Sequence, residues 1–196
     1  MSRCAEICRK TAETDISVNL NLDGNGESNI NTGSGFFDHM LCAFARHGRF
    51  DLTLKCTGDT YVDFHHSVED TGIVLGRAFS EALGDKKGIR RFGYMILPMD
   101  EALVLSSVDI SGRSHLEYDI TGLCEKVGEF DTELVKEFWL GFTRTANITL
   151  HIRRFAGENT HHVIEAIFKS VAKSLSCAAE IDREHADEIP STKGAL

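Results

Sequence analysis

The chain has 196 residues, a length that fits one domain or two small similar halves with a hydrophobic core. Thirty acidic residues against 21 basic ones give a formal net charge of −9, which argues against a nucleic-acid-binding surface. No run approaches the roughly 18 apolar residues of a membrane span, and the first residues lack the apolar core of a signal peptide.

The six cysteines are scattered along the chain and form no CxxC pair. In the absence of an export signal we interpret them as thiols in a reducing compartment, and we expect the protein to be cytoplasmic. Cys4 and Cys8 have a spacing that a metal could use, but no second cysteine pair completes a tetrahedral set of thiolates. The cysteines therefore do not favour a structural zinc site.

In the first half, alternating polarity predicts strands and a helical period predicts helices. A strand is predicted over residues 16–22, and the Asp-Gly-Asn-Gly run at 23–26 predicts a hairpin turn. A helix follows from about Phe36 to about Gly48, then a strand over 50–56, then a helix over 63–83. In the second half, the corresponding patterns predict a strand over 102–110, a helix over 133–146, a strand over 148–152 and a helix over 161–178.

The recurrence of strand, helix, strand and helix indicates an internal duplication. We expect an α+β fold with two similar halves, residues 1–90 and 91–196, in one compact unit. Each half is expected to back a small sheet with two helices. The tail over 189–194 has no periodicity.

A His-His-x-x-Glu element occurs twice, with the copies 96 positions apart. The copies are His65, His66 and Glu69, and His161, His162 and Glu165. On a helix, the first histidine and the glutamate share one face, while the second histidine points about 100° away. Each copy could thus offer an imidazole and a carboxylate to one metal and a second imidazole to another. The alternative, solvated histidines at two helix starts, stays open for either copy alone.

The duplication suggests two further ligands. His39 precedes the first element by 26 residues, and Glu137 precedes the second by 24, each on the shorter helix of its half. Glu137 depends on the repeat alone, since most helical glutamates are solvated. Histidine and carboxylate without thiolate suit manganese, iron or zinc with open coordination positions. The sequence therefore predicts a two-metal site.

A cationic group consists of Arg90, Arg91, Arg113 and the tail Ser191-Thr192-Lys193. Arginine and lysine with a hydroxyl suit a phosphate monoester. Each residue taken singly is usually solvated, and the sequence cannot show whether they converge.

Seven motifs, in order along the chain, resemble the imidazoleglycerol-phosphate dehydratase family of histidine biosynthesis. They are Phe-Phe-Asp-His-Met-Leu at 36–41, Asp-Phe-His-His-Ser-Val-Glu-Asp at 63–70, Lys-Gly-Ile-Arg-Arg-Phe-Gly at 87–93, Asp-Glu-Ala at 100–102, Asp-Ile-Ser-Gly-Arg at 109–113, Gly-Glu-Asn-Thr-His-His-Val-Ile-Glu-Ala at 157–166 and Ile-Pro-Ser-Thr-Lys-Gly at 189–194. The resemblance implies a duplicated βα fold like the second domain of ribosomal protein S5. It also implies a 24-subunit shell whose active sites form where subunits meet, each with two Mn(II) ions.

The family's metal-binding and phosphate-binding positions fall on residues already singled out. Its metal positions fall on His39, His65, His66, Glu69, Glu137, His161, His162 and Glu165, although position 137 is histidine in some members. Its phosphate-binding positions fall on Arg91, Arg113, Ser191 and Lys193, and Glu13 and Asp100 match acidic residues near the substrate. One departure is Ala43, where some members have a glutamine near the substrate phosphate.

The implied reaction removes water from D-erythro-imidazole glycerol phosphate to give imidazole acetol phosphate. Our hypothesis is that two metals on the ring nitrogens favour an imidazolate, so that loss of hydroxide gives a diazafulvene-like intermediate. Glu165, which is also a candidate ligand, is the candidate for proton transfer, with Glu13 or Asp100 assisting. Arg91, Arg113, Ser191 and Lys193 are expected to hold the phosphate.

Two functions from other classes remain as alternatives. A non-catalytic metal-storage or metal-sensing protein explains the ligands but not Arg113 or the Ser-Thr-Lys tail. A two-metal phosphoester hydrolase would release phosphate from its substrate, which the dehydratase would not.

Overall fold

The computed structural model describes residues 3–196, which form four helices, two four-stranded sheets and a two-stranded ribbon. Residues 1 and 2, at the start of the predicted first half, lie outside the described residues. The elements of the first half are β1 (Cys4–Lys10), β2 (Thr14–Asn21), β3 (Ser28–Asn31), α1 (Gly35–Gly48), β4 (Asp51–Gly58) and α2 (His65–Leu83). Those of the second half are β5 (Phe92–Met99), β6 (Ala102–Asp109), β7 (His115–Asp119), β8 (Lys126–Val127), β9 (Phe130–Asp131), α3 (Leu134–Ala146), β10 (Thr149–Ala156) and α4 (Thr160–Ala179).

The two sheets have the same topology, which confirms the α+β class and the duplication. Their strand orders are β1-β2-β4-β3 and β5-β6-β10-β7. In each sheet the first two strands form an antiparallel hairpin, while the third strand runs parallel to the fourth with a helix between them. The β8–β9 ribbon is an addition to the second half alone.

The predicted hairpin turn at residues 23–26 is wrong. β2 pairs with β4, and β3 lies on the far edge of β4, so the segment carries the chain past the start of β4. There the Asp51 carboxylate accepts the backbone N–H groups of Asn25, Gly26 and Glu27 at 2.8–3.1 Å. One side chain thus satisfies three backbone donors of this connecting segment.

The shorter helix of each half packs mainly against the longer helix of the other half. α2 packs on β1 and β2 and α4 packs on β5 and β6, but α1 lies mainly against α4 and α3 against α2. The seam between α2 and α3 is close: a Cβ added to Gly72 would lie 2.3 Å from the Phe138 carbonyl oxygen. One continuous core therefore joins the halves, and the predicted boundary between residues 90 and 91 falls just before β5.

The outer faces of the two sheets differ in polarity. On the first sheet, Glu6, Ser17 and Thr53 are exposed. On the second, four large apolar side chains of β5 and β10 are exposed: Phe92, Tyr94, Ile96 and Phe155. Exposed apolar surface of this kind is typical of contact surfaces. Within residues 3–196, no helix has the length and apolar character needed to span a membrane.

Candidate active site

The starts of α1 and α4 are fixed by side-chain hydrogen bonds. At α4, the Asn159 side chain accepts the backbone N–H groups of His161 and His162 at 2.9 and 3.4 Å. Near the start of α1, the Asp38 carboxylate accepts the N–H and hydroxyl groups of Thr32 at 2.8 and 2.6 Å. Because α1 packs on α4, these two helix starts bring a histidine of each half to one place.

Three predicted metal ligands converge there. His39, His161 and Glu165 each offer one ligand atom, and these atoms lie within 4.8 Å of one another. The Glu165 Oε2 atom lies 3.2 Å from His161 Nε2 and 3.6 Å from His39 Nε2. The two imidazoles are about half exposed, whereas the Glu165 side chain is 10% exposed. The donor set, two imidazoles and a carboxylate on an open surface, fits a divalent metal with free coordination positions.

The four-residue spacing predicted to place the first histidine and the glutamate on one helical face is confirmed in both copies. His161 and Glu165 approach within 3.2 Å, and His65 Nε2 lies 3.9 Å from Glu69 Oε2 at the start of α2. His39 from α1 lies beside the pair of His161 and Glu165 and offers a third ligand atom. The two elements are therefore alike in local geometry but differ in how many ligand atoms gather around them.

Glu165 is held by a lysine that the sequence interpretation missed. Lys169 Nζ lies 2.6 Å from Glu165 Oε1, one helical turn away, and both side chains are largely buried. Although burial favours the neutral acid, the Lys169 hydrogen bond and charge keep the pKa of Glu165 below its usual value. Glu165 is therefore a carboxylate at neutral pH, the form that binds a metal or accepts a proton. The i, i+4 spacing is a pattern that could have found this pair.

The second histidine of each element lies between two carboxylates. His66 Nδ1 is 3.0 Å from Asp59, and its Nε2 is 3.8 Å from Glu13. These contacts bring the predicted acidic residue Glu13 beside a predicted metal ligand. The hydrogen bond with Asp59 raises the pKa of His66 above its ordinary value.

In the second half, His162 has a matching environment. Its Nδ1 is 2.7 Å from Glu101, and its Nε2 is 3.7 Å from Asp100. Asp100 is thus beside His162, as Glu13 is beside His66. The His162 hydrogen bond, with the N–H groups that Glu101 accepts, lowers the pKa of Glu101 to about 2. Asp59 and Glu101 carry no sequence prediction, because their role depends on contacts across the fold.

Glu137 lies apart from the other predicted ligands. It is in the first turn of α3 and lines a cavity of about 710 Å³ together with Tyr118, Glu133 and Lys136. The Tyr118 hydroxyl, at the same cavity, is buried without a hydrogen-bond partner. Among residues 3–196 the group of converging ligand atoms does not include Glu137, so its role stays a prediction.

The predicted phosphate-binding residues gather at the opposite end of α4. The Arg91 backbone N–H donates to the Ala178 carbonyl at 2.9 Å. Its guanidinium donates to both Asp109 carboxylate oxygens, at 2.7 and 3.2 Å, and to the Pro190 carbonyl at 2.9 Å. Three of the five guanidinium N–H donors are therefore used, and two remain for a ligand.

The carboxyl-terminal tail follows Arg91 to the turn that carries Arg113. Pro190, which accepts from Arg91, precedes Ser191, whose hydroxyl accepts the Lys193 N–H at 3.2 Å. Leu196 lies against Gly112, since a Cβ on that glycine would be 2.7 Å from the Leu196 carbonyl carbon. The tail thus lies beside both arginines at one end of the second sheet.

The predicted metal-binding and phosphate-binding groups are far apart in one chain. His161 is in the first turn of α4, and Ala178, which contacts Arg91, is in its last turn. Seventeen residues at 1.5 Å per residue separate them by about 26 Å. That distance far exceeds the length of a small phosphorylated substrate.

Comparison with known proteins agrees with the motif resemblance. The family description imidazoleglycerol-phosphate dehydratase matches residues 32–175. The chain belongs to this family. The predicted enzyme class, a carbon–oxygen hydro-lyase, follows from this membership and leaves no support for the metal-storage or hydrolase alternatives.

Relatives in the family match this chain over nearly its whole length. An imidazoleglycerol-phosphate dehydratase of Prochlorococcus marinus is 54% identical over 194 residues, covering 99% of this chain and 96% of the relative. One of Cereibacter sphaeroides is 56% identical over 194 residues, covering 99% of this chain and all of the relative. These relatives extend the family match to both ends of the fold.

Crystal structures agree with the fold. The dehydratase of Staphylococcus aureus superposes with a TM-score of 0.83 at 41% identity, covering 91% of this chain and 99% of that one. A crystal structure of the dehydratase (IGPD) from Pyrococcus furiosus superposes with a TM-score of 0.84 at 38% identity. The match covers 97% of this chain and all of that one. The duplicated α+β architecture is therefore that of the family.

Proposed function

We propose that this protein dehydrates D-erythro-imidazole glycerol phosphate to imidazole acetol phosphate in histidine biosynthesis. The observation that carries the proposal is the convergence of His39, His161 and Glu165 in a member of the dehydratase family. The cationic end of α4 supplies the second requirement, a place for a phosphate monoester.

We further propose that Mn(II) is the cofactor, with two ions per active site. Eight ligands are proposed: His39, His65, His66, Glu69, Glu137, His161, His162 and Glu165. Imidazole and carboxylate donors with open positions suit this ion, and the described ligand atoms at His39, His161 and Glu165 are spaced for one such centre. When bound, the ions would act as Lewis acids on the imidazole ring and make it an electron sink.

The protein's own groups then handle protons. Glu165 is ionised and oriented by Lys169, so it can accept the carbon-bound proton of the substrate. Glu13 and Asp100, each beside a second histidine, are proposed to assist the proton transfers.

Arg91, Arg113, Ser191 and Lys193 are proposed to bind the phosphate and so position the carbon chain of the substrate. Arg91 is already oriented by Asp109 and Pro190, which reduces the entropy lost when it binds an anion. Ala43 is buried in α1 and offers no polar side chain. We therefore expect phosphate binding here to depend on the four cationic and hydroxyl side chains.

Self-association is part of the proposal, because one chain cannot bring its two groups to a single small substrate. A second copy would place its metal ligands beside the first copy's Arg91 and tail. The exposed apolar face of β5, which begins at Phe92 next to Arg91, suits such a contact. The 24-subunit shell remains our expectation for the complete assembly, with sites between subunits.

A cytoplasmic location also remains a prediction, in keeping with a biosynthetic enzyme. Nucleic acid is not a proposed partner, given the net charge of −9.

The test of the proposal is turnover of imidazole glycerol phosphate by metal-stripped protein, with and without added Mn(II). The assay follows the ketone product and inorganic phosphate separately. We expect manganese-dependent ketone formation without phosphate release. Phosphate release would support the hydrolase, and no turnover by assembled, metal-loaded protein would contradict the proposal.

A further inference from the structure

Asp59 and Glu101 make the same contact in the two halves. Each carboxylate faces the Nδ1 atom of the second histidine of a His-His-x-x-Glu element, at 3.0 Å for His66 and 2.7 Å for His162. These distances are those of direct hydrogen bonds, unlike the 3.7–3.8 Å on the Nε2 side. Each imidazole is therefore hydrogen-bonded through Nδ1, while its Nε2 atom stays 3.7–3.8 Å from the other carboxylate.

This contact selects the form of the imidazole. A carboxylate accepts hydrogen bonds, so Nδ1 must carry the proton, which leaves the lone pair of the neutral ring on Nε2. A metal can bind only a nitrogen with a free lone pair. Asp59 and Glu101 thus set both the direction and the donor atom of each ring.

The two carboxylates come from different places in the duplicated fold. Asp59 follows β4, seven residues before His66, whereas Glu101 is in the turn between β5 and β6. The position seven residues before His162 is Phe155, which is apolar and exposed. Asp59 and Glu101 therefore occupy non-equivalent positions of the two halves. Duplication of the sequence alone does not explain why both make this contact.

Both carboxylates are themselves fixed. The Asp59 backbone N–H donates to the Glu13 carbonyl at 3.1 Å, and its side chain is 14% exposed. The Glu101 carboxylate also accepts the N–H groups of Glu158 and Asn159, at 3.2 and 2.8 Å, just before α4 begins. Each contact is therefore built into the backbone around it.

We infer that Asp59 and Glu101 are positioning residues that orient His66 and His162 and present their Nε2 atoms to the metals. The inference rests on the proposed role of these histidines as ligands. It assigns neither residue a contact with substrate or metal, so both act through the imidazoles they hold.

The test is a titration of metal-stripped protein with Mn(II), in which free Mn(II) is measured by electron paramagnetic resonance. Asp59→Ala and Glu101→Ala are each expected to weaken Mn(II) binding about 10–100-fold, the usual effect of losing such a partner. Asp59→Asn and Glu101→Gln keep an oxygen acceptor for Nδ1–H and are expected to lose less than the alanine variants. Far-ultraviolet circular dichroism and thermal unfolding check that each variant is folded.

The matched control is Asp182→Ala. The Asp182 carboxylate lies 3.3 Å from Nδ1 of His185, the same type of contact on a histidine that is not a proposed ligand. This variant should bind Mn(II) like the wild type, which separates an effect at the ligands from a general loss of negative charge.

The outcomes distinguish this inference from the proposed function. Wild-type affinity in folded Asp59→Ala and Glu101→Ala, with manganese-dependent turnover intact, would overturn the positioning role alone. Equal losses in the amide and alanine variants would also overturn it, since a hydrogen-bond acceptor would then not be the feature that counts. Failure of the wild type to bind Mn(II) would remove both the cofactor proposal and this inference.

Discussion

The two ends of α4 carry opposite chemistry. Its first turn contributes His161 to a group of half-exposed imidazoles and one largely buried carboxylate, and Asn159, Glu101 and Lys169 contact this group or its neighbour His162. Its last turn contacts Arg91. Arg113 and the tail residues Ser191 and Lys193 are the other members of this cationic group. The rigid helix keeps the two groups about 26 Å apart.

That separation teaches how the active site is built. Each end is ordered by contacts within the chain, yet neither holds all the groups that the proposed substrate needs. We therefore propose that a single chain contributes parts to two different sites. Four substitutions test this idea. One changes the metal end, which holds His39, His161 and Glu165, and one changes the phosphate end, which holds Arg91, Arg113 and the tail. The other two change the surface between copies and the seam between α2 and α3.

The largest effect is expected at the metal end. Glu165→Gln removes a proposed proton acceptor and metal ligand, and should lower kcat by about 10²–10⁴-fold while the fold is retained. The control is Glu81→Gln, which changes a helical glutamate in a similar ion pair with Arg77, at 3.0 Å. Steady-state kinetics on both variants make the comparison, and a near-normal kcat for Glu165→Gln would reject its role.

A smaller effect, in a different kinetic parameter, is expected at the phosphate end. Lys193→Ala removes a charged hydrogen-bond donor worth about 1.5–3 kcal/mol, so KM should rise roughly 10–100-fold with a lesser change in kcat. Lys55→Ala, on the polar face of the first sheet, is the matched exposed lysine and should leave KM unchanged. An unchanged KM for Lys193→Ala would favour a solvated tail.

The surface between copies should respond to a buried charge. Tyr94 is 75% exposed on the apolar face of the second sheet, and Tyr94→Glu would place a carboxylate in the proposed contact. We expect smaller assemblies by analytical ultracentrifugation, with activity lost in proportion. Ser17→Glu, on the outer face of the first sheet, should assemble normally, and equal behaviour of the two variants would argue against this face as the contact.

At the seam between α2 and α3 we expect the smallest effect on activity, and the main effect there is on stability. In Gly72→Ala, a Cβ 2.3 Å from the Phe138 carbonyl oxygen must push the two helices apart. The free energy of unfolding should fall by about 1–3 kcal/mol, as for other overpacked cores. Gly35→Ala, where nothing lies within 4 Å of the added Cβ, should change it little, as measured by denaturant unfolding.

The strands that the sequence predicts are the central ones of each sheet. β2, β4, β6 and β10 bury alternate side chains, and their hydrophobic alternation is visible in the chain. The edge strands β1, β3, β5 and β7 carry no strand prediction. At most one residue of each is buried, so nothing forces an apolar pattern on them.

The site shows the same limit. The i, i+4 spacing is enough to place His161 and Glu165 on one helical face, because the helix fixes that distance. Asp59 and Glu101 could not be found in this way, since their contacts arise where loops of the folded chain meet helix starts. The approach of His39 to Glu165 likewise depends on how α1 packs on α4.

The most direct test of the shared site is complementation between two defective chains. Glu165→Gln keeps an intact phosphate end, and Lys193→Ala keeps an intact metal end. The two proteins are stripped of metal, mixed, reassembled with Mn(II) and assayed at low substrate, where both parents are slow. We predict turnover well above the mean of the two parents, because some sites then combine both intact ends. Turnover equal to that mean would show that each chain holds a whole site, and would contradict the account.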